Sequence, residues 1–375
     1  MKIIAYFDSE QNAIENRIFY LSATNKLTYI CTAINKTEPV DIISPSWTLN
    51  RSGYYCGKKY KLLERTTVTL LPTFGVRTAI GRRLRRIFSL IMLTLYLFRN
   101  VKSGEKLLVY HSISLYKPLK ILQRYKKIMI TLEVEEIYQN VQLLSKSLSN
   151  NEYKFFELAD GYIFPTTLLN EKINLLGKPY AIIHGSYQVE PDRSCKINDG
   201  KIHCVYAGTF DPRKGGAAAA AAAAACLDKN YHIHILGFGS EEDTKKMQNL
   251  IAEISKQTEC TLTYDGLLSG EDYIRFIQSC DIGLSTQNPN ADFNETSFPS
   301  KVLSYLANGL SIVSIRIKAL ETSAVDDLLY YYNEDTPQAI AGAIRSVDLN
   351  KVYDSRKRIA KLDAQFVKDI EKVLR

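Results

Sequence analysis

The chain is poor in the features that would place it in several common classes. Its seven cysteines (31, 56, 195, 204, 226, 260 and 280) are odd in number and scattered, with no C-x-x-C or C-x-x-H spacing. That excludes a disulfide framework and a sequence-local zinc knuckle, and fits a reducing compartment. Long hydrophobic runs are also missing. The longest, "IFSLIMLTLYLF" from Ile87 to Phe98, is too short to cross a bilayer as a helix. The opening "MKIIAYFDSE" turns acidic at Asp8, so it lacks the apolar core of a secretory signal and reads as a first strand. Neither G-x-x-x-x-G-K-[ST] nor a helix-opening G-x-G-x-x-G occurs, which disfavours nucleoside triphosphate hydrolysis.

What is present is ordinary globular material, 46% apolar and 23% charged over 375 residues, enough for two packed cores. Short runs rich in β-branched and aromatic residues, "KIIAYF", "LTYICTAI", "KLLVYH", "KIMITLEV" and "DGYIFP", alternate with longer helical stretches. A second series follows: "IHCVYAG", "YHIHILGFG", "CTLTYDG", "DIGLSTQ" and "LSIVSIR". This is the βαβ rhythm of parallel sheets. Between the series, Gly185 to Lys201 has little periodicity and reads as a linker. The expected fold is α/β, with two doubly wound Rossmann-like domains facing each other across a cleft. The first domain runs over 1–190 and the second over 191–354, with a closing helix at 355–375 packed back on the first.

The net charge is +8, and the excess is local: Arg77, Arg82, Arg83, Arg85 and Arg86 crowd the N-terminal flank of the apolar run. The expected helix is then either an internal helix of the first domain or one lying on an anionic membrane surface, on different faces if both hold. Nucleic acid has little support, since Tyr330 to Tyr332 in "LLYYYNED" read as a strand edge. His232 and His234 read as a packed strand pair, because no third ligand lies nearby in sequence; no metal is expected.

The most informative stretch is "GTFDPRKGGAAAAAAAAAC", residues 208 to 226. A strand ends in "VYAG", a basic turn follows, and the alanines, the best helix formers, begin a helix. The turn therefore sits at the positive end of a helix dipole, with free amides for an anion and with Lys214 and Arg213 adding charge. "ILGFGSEED" places Gly237 and Gly239 at a second strand end, "YDGLLSGEDY" repeats this at Gly266, and "ETSFPSKVLSYLANG" starts a helix with Ser297, Pro299, Ser300 and Lys301.

In order and spacing, "YAGTFDPRKGG", "IHILGFG", "DGLLSGEDYIRFIQSCDIGLS" and "SFPSKVLSYLANGLSIVS" resemble the donor-domain signatures of retaining glycosyltransferases of family 4, which have the GT-B fold. "IFYLSATNKLTYI", "TLEVEEIYQN" and "ADGYIFPTTLLNEKIN" are similar to bacterial members that build surface polysaccharides. The resemblance implies a nucleotide-sugar donor. Lys214 takes the place of the lysine on its diphosphate, beside Gly208, Thr209 and Arg213. Gly237, Phe238 and Gly239 border the donor pocket, Gly266 and Leu267 meet the base, and Ser297, Pro299, Ser300, Lys301 and Ser304 hold sugar and phosphates. Two positions depart from the family: Thr209 replaces an arginine, and Thr296 and Ser304 replace a pair of glutamates, with Glu295 one residue off.

Lys214 and Lys301 are then the groups that stabilise the departing diphosphate, with no metal and no cofactor, the nucleotide sugar being a substrate. If a base exists, the first domain offers His111, Glu133, Glu135 and Glu136, with Glu135 and Glu136 preferred among the acids. Glu10, Asn12 and Glu136 are the acceptor-side candidates, for a saccharide or lipid-linked saccharide. The expected location is cytoplasmic, peripheral on the inner face of the plasma membrane if the arginine flank binds lipid. The alternative is a non-catalytic GT-B partner or chaperone subunit that lost its paired carboxylates.

Overall fold

The computed structural model describes residues 1–374 apart from 142–145, 194–195, 212–215, 290, 292–293, 295 and 352–353, and apart from the side chains of 140–147. It divides into two compact units. Unit 1 comprises Met1–Pro165, Leu169–Ser186 and Gln365–Arg375; unit 2 comprises Thr166–Leu168 and Tyr187–Ala364.

Up to residue 182 the elements are β1 (Lys2–Ile4), α1 (Leu21–Ile34), β2 (Val40–Ser44), β3 (Tyr54–Tyr55), β4 (Lys58–Leu63), β5 (Thr66–Leu70), β6 (Thr73–Phe74), α2 (Ala79–Asn100), β7 (Lys106–Tyr110), α3 (Tyr116–Lys126), β8 (Met129–Glu133), α4 (Tyr138–Val141), α5 (Lys146–Leu158), β9 (Gly161–Phe164), α6 (Thr167–Ile173) and β10 (Tyr180–Ile182). The unit 1 sheet has the order β10-β9-β8-β7-β1-β2-β5-β4. Every neighbouring pair is parallel except β4 with β5. Helices on both faces bury such strands, which is why they read as continuous apolar runs.

One run departs from expectation. "LTYICTAI" is strand-like in composition, yet it is the second half of α1, because Leu27, Ile30, Cys31 and Ile34 fall on one buried helical stripe. The strand on that side of the sheet is β2, "VDIIS".

Helix α2 is capped by Thr78, whose side chain accepts a hydrogen bond from the Gly81 amide, and it starts two turns before the apolar run and ends just after it. Arg85, Ser89, Leu93 and Leu97, spaced by four, face the interior. Ile80, Leu84, Ile87, Ile91 and Leu95 form an exposed stripe, each more than half accessible. No helix among the described residues is long and apolar enough to cross a membrane.

The remaining elements are β11 (Ile202–Thr209), α7 (Ala217–Ala222), β12 (Tyr231–Phe238), α8 (Glu241–Ile254), β13 (Thr261–Gly266), α9 (Gly270–Ser279), β14 (Ile282–Ser285), α10 (Ser300–Ala307), β15 (Ser311–Ile315), α11 (Lys318–Glu321), β16 (Leu329–Tyr332), α12 (Pro337–Arg345) and α13 (Ser355–Leu374). The unit 2 sheet is wholly parallel in the order β13-β12-β11-β14-β15-β16. Counted from β11 this is 3-2-1-4-5-6, the dinucleotide-binding order, with its direction of winding reversed between β11 and β14. The alanine helix is regular over six residues and tightens into a 3-10 turn through Cys226. Phe366, on the last turns of α13, stacks on Tyr29 of unit 1 with ring centroids 5.6 Å apart.

Candidate functional site

In an open parallel sheet, ligands collect beyond the carboxyl ends of the strands where the winding reverses. In unit 2 that point lies between the ends of β11 and β14. Their ladder stops at the Val205–Gly283 pair, and past it the Ala207 amide donates instead to the Tyr305 hydroxyl at 2.8 Å. The two strands separate there, with a phenol from α10 filling the gap.

A second phenol holds the basic turn. Tyr206 Oη donates to the Thr209 carbonyl at 3.1 Å and accepts from the Gly216 amide at 3.3 Å, so one buried group fixes both ends of residues 209–216. Thr286 Oγ1 donates to the Gly216 carbonyl at 2.7 Å, and a Cβ at 216 would stand 1.9 Å from the Thr286 carbonyl oxygen. On the other side, Gly237 has φ +145°, and a Cβ there would overlap the Gly208 carbonyl at 1.8 Å. Only glycine permits these two approaches.

Lys301, in the first turn of α10, is brought to the same place. Its Nζ lies 4.0 Å from the centroid of the Tyr206 ring, a cation–π distance, and 3.2 Å from where a Cβ on Gly208 would be. Burial pushes its pKa down to about 7. Among the described residues no carboxylate or hydrogen-bond acceptor pairs with it. Pro299 precedes the helix as its cap with no side-chain hydrogen bond, leaving the amides of the α10 first turn uncapped by side chains. A desolvated ammonium on the first turn of a helix favours an anion.

The other donor-side candidates occupy neighbouring strand ends. Phe238, between Gly237 and Gly239 at the end of β12, and Leu267, after Gly266 just past β13, are 57% and 65% exposed, unusual for large apolar side chains. Gly239 packs near Phe210, and Gly266 takes φ +78°. Ser297 is half-buried and Ser300 exposed. Ser304 Oγ is 3.2 Å from Tyr273 Oη, and the Thr296 carbonyl accepts from Thr166 Oγ1 at 2.6 Å. Arg213, Lys214 and Glu295 lie outside the described residues. The two phenols, Tyr206 and Tyr305, were missed from the sequence; each is an apolar-face residue whose hydroxyl role appears only once the strands are registered.

Residues 201–348 match the family described as Glycosyl transferases group 1. No curated protein matches the chain. Several solved structures share the fold over nearly the whole length. One is described as OtsA in its apo form, with TM-score 0.65 and 12% identity, covering 98% of this chain and 95% of that one. Another is a trehalose-6-phosphate protein from E. coli bound with UDP-2-fluoro glucose, with TM-score 0.63 and 11% identity, covering 98% and 96%. A third is Anabaena Alr3699/HepE in complex with UDP, with TM-score 0.64 and 11% identity, covering 99% and 97%. The fold is GT-B-like, and residues 201–348 match a glycosyltransferase group 1 domain.

The unit 1 candidates have their own environments. His111 is 1% exposed, stacked on Tyr138 at 4.8 Å and flanked by Phe155 and Phe156. Burial depresses its pKa to about 3, and neither ring nitrogen has a hydrogen-bond partner among the described residues. This is a packed histidine and not an exposed base. Glu133, Glu135 and Lys26 form a cluster that sequence reasoning missed. Lys26 Nζ stands 2.9 Å from Glu133 and is closely bonded to Glu135; the Glu133 carboxyl is fully buried, which raises its pKa, while the two carboxylates raise that of Lys26 against the opposing effect of burial. Glu135 is therefore a clamp for a buried lysine. Glu10 pairs with Lys58 at 2.8 Å, and Asn12 Oδ1 accepts the Ile14 amide at 2.9 Å to close its own turn. Glu136 is half-buried.

The parallel register adds a third histidine to His232 and His234, since His203 on β11 pairs with His232 on β12. One nitrogen of each lies within 4.8 Å of the others. The donor set would suit zinc, but the nitrogens are engaged: His203 Nδ1 with His234 Nε2 at 2.9 Å, His203 Nε2 with Asp199, His234 Nδ1 with Asp265 and His232 Nε2 with Thr263. The rings hold one another.

Proposed function

We propose that the chain is a retaining glycosyltransferase that moves a sugar from a nucleotide-sugar donor to a saccharide acceptor, lipid-linked, in the assembly of a bacterial surface polysaccharide at the cytoplasmic face of the membrane. The observation that carries the reading is Lys301, a desolvated ammonium without an anionic partner among the described residues, set over Tyr206 at the reversal point of the unit 2 sheet. As the sugar–phosphate bond breaks, negative charge builds on the diphosphate. A preorganised cation and helix-start amides stabilise that charge without reorganising. In this reading Lys214 adds a second charge from the basic turn, Phe238 and Leu267 offer apolar contact to the base, and Ser297, Pro299 and Ser300 sit at the sugar and phosphates. No cofactor takes part.

UDP and UDP-2-fluoro glucose in the similar structures make uridine donors the first to test. Release of nucleoside diphosphate from a panel of nucleotide sugars is expected for the wild type and is expected to fall roughly 10²-fold or more in Lys301→Ala. Equal turnover by both would refute the assignment of Lys301.

A second reading is a GT-B partner subunit that binds donor without turning it over. The observation in its favour is that Ser304, where relatives are expected to carry a glutamate, is hydrogen-bonded to Tyr273. Nucleotide binding with no turnover on any donor would decide for it.

The exposed apolar stripe of α2 and the arginines beside it are proposed to rest on an anionic membrane surface. Arg86, among those arginines, holds its guanidinium 5.4 Å from the Trp47 ring, a cation–π distance.

A further inference from the structure

The arginine run does more than line a surface. Arg85 is turned inward on α2, one turn before Ser89, and is 3% exposed. Its Nε has no hydrogen-bond partner, and no acidic side chain pairs with it among the described residues. Burying a guanidinium without a counter-charge is strongly unfavourable. Burial, then Arg86 and Arg82, push its pKa below the usual arginine range. A guanidinium left in this state is a ready partner for an anion.

The surroundings are built to receive one. Arg85 borders a cavity of about 420 Å³ whose other lining residues are Leu49, Arg51, Val76, Arg77 and Arg82. Four of the six are arginines, and none of these four has an acidic partner among the described residues. The walls are locked by backbone bonds: the Gly75 amide donates to the Gly53 carbonyl at 2.8 Å and the Val76 amide to the Asn50 carbonyl at 3.1 Å. Those segments pass so closely that a Cβ on Gly75 would lie 2.2 Å from the Ser52 carbonyl oxygen. Arg82 Nη1 donates to the Arg77 carbonyl at 3.2 Å, which holds the helix start against the turn before it. The positive end of the α2 dipole adds to the field.

We propose that this cavity in unit 1 is a phosphate site, taking the phosphate or diphosphate group of an anionic ligand through the guanidinium groups of Arg51, Arg77, Arg82 and Arg85. Guanidinium forks match phosphate oxygens two at a time, which lysine does not. The same chemistry is offered by a lipid headgroup and by a free phosphorylated compound. The inference does not require the glycosyltransferase reading; where that reading holds, the ligand is the phosphate that links the acceptor saccharide to its lipid.

The test uses the full chain carrying Lys301→Met, which weakens the unit 2 anion position, and binding to the unit 1 cavity is read as the part that Arg85 controls. Inorganic pyrophosphate is titrated by calorimetry and followed by thermal unfolding. One equivalent is expected to bind and raise the unfolding midpoint. Arg85→Met, which keeps the buried stem, and Arg51→Gln are each expected to weaken binding about tenfold or more, as for a lost charged hydrogen bond. If Arg85 serves packing alone, Arg85→Met lowers the midpoint without ligand and leaves pyrophosphate binding unchanged, and the proposal falls. The proposal expects the opposite pair: an unliganded midpoint at or above that of the parent, and loss of the pyrophosphate-induced rise. Vesicles of phosphatidylcholine with and without phosphatidic acid identify the source. Arg85-dependent binding to the phosphatidic acid vesicles assigns a lipid headgroup, and Arg85-dependent binding of pyrophosphate alone assigns a soluble phosphate. Binding of neither probe, or equal binding by the parent and Arg85→Met, overturns the site.

Discussion

Replacing Lys301 with methionine separates a charge that waits for a ligand from one that merely packs. Burial lowers its pKa from 10.5 to about 7, a bias of about 5 kcal/mol against the charged form. Because the folded value lies below the unfolded one, the folded chain binds fewer protons between pH 7 and 10.5. Stability on this account rises with pH across that window, and the burial penalty is fully present below pH 7. A bound diphosphate reverses the bias by supplying the missing counter-charge, so binding takes up a proton. About half a proton is expected at pH 7 and close to one at pH 8.5, and affinity is expected to fall about 50-fold from pH 7 to pH 9. Calorimetric titration of UDP in two buffers of different ionisation heat measures the uptake directly. In Lys301→Met the uptake is expected to vanish and affinity at pH 7 to drop about tenfold or more. Proton-neutral binding by the wild type, or a Lys301→Met protein that holds UDP as tightly, would refute the reasoning.

Gly237→Ala is expected to destabilise unit 2 by roughly 1–3 kcal/mol, since φ +145° disfavours any side chain and the Cβ meets the Gly208 carbonyl. An unchanged denaturant midpoint would contradict this. Lys26→Met leaves the buried Glu133 without its partner and is expected to cost about 3–5 kcal/mol at pH 7. The loss should shrink as pH falls and Glu133 takes a proton, its pKa being raised; a pH-independent loss in chemical denaturation would argue against the cluster. Arg82→Glu with Arg86→Glu is expected to abolish co-sedimentation with anionic vesicles, and unchanged partitioning would rule out the α2 surface.

Much of unit 2 was legible because its strands are short and buried on both faces, so each appears as an isolated apolar run ended by glycine or a polar turn. The same rule misled at residues 27–34, where β-branched and aromatic residues lie at helical spacing, and composition outweighed period. His111 looked like a strand-end base, and the aromatic rings that enclose it come from α4 and α5, distant in sequence. Glu135 looked like a free acid because nothing local announces Lys26.

By itself the sequence determined the alternation of strands and helices, the glycines where chains must touch, and the presence of a lysine at the start of α10. Tertiary structure alone decided which charges stand without partners. Lys301 lacks one because α10 packs over Tyr206, and Arg85 because the pitch of α2 turns it inward from an otherwise exposed arginine run. The physical reason is that a side chain's charge is written in its residue type, whereas its solvation depends on what the rest of the chain folds around it.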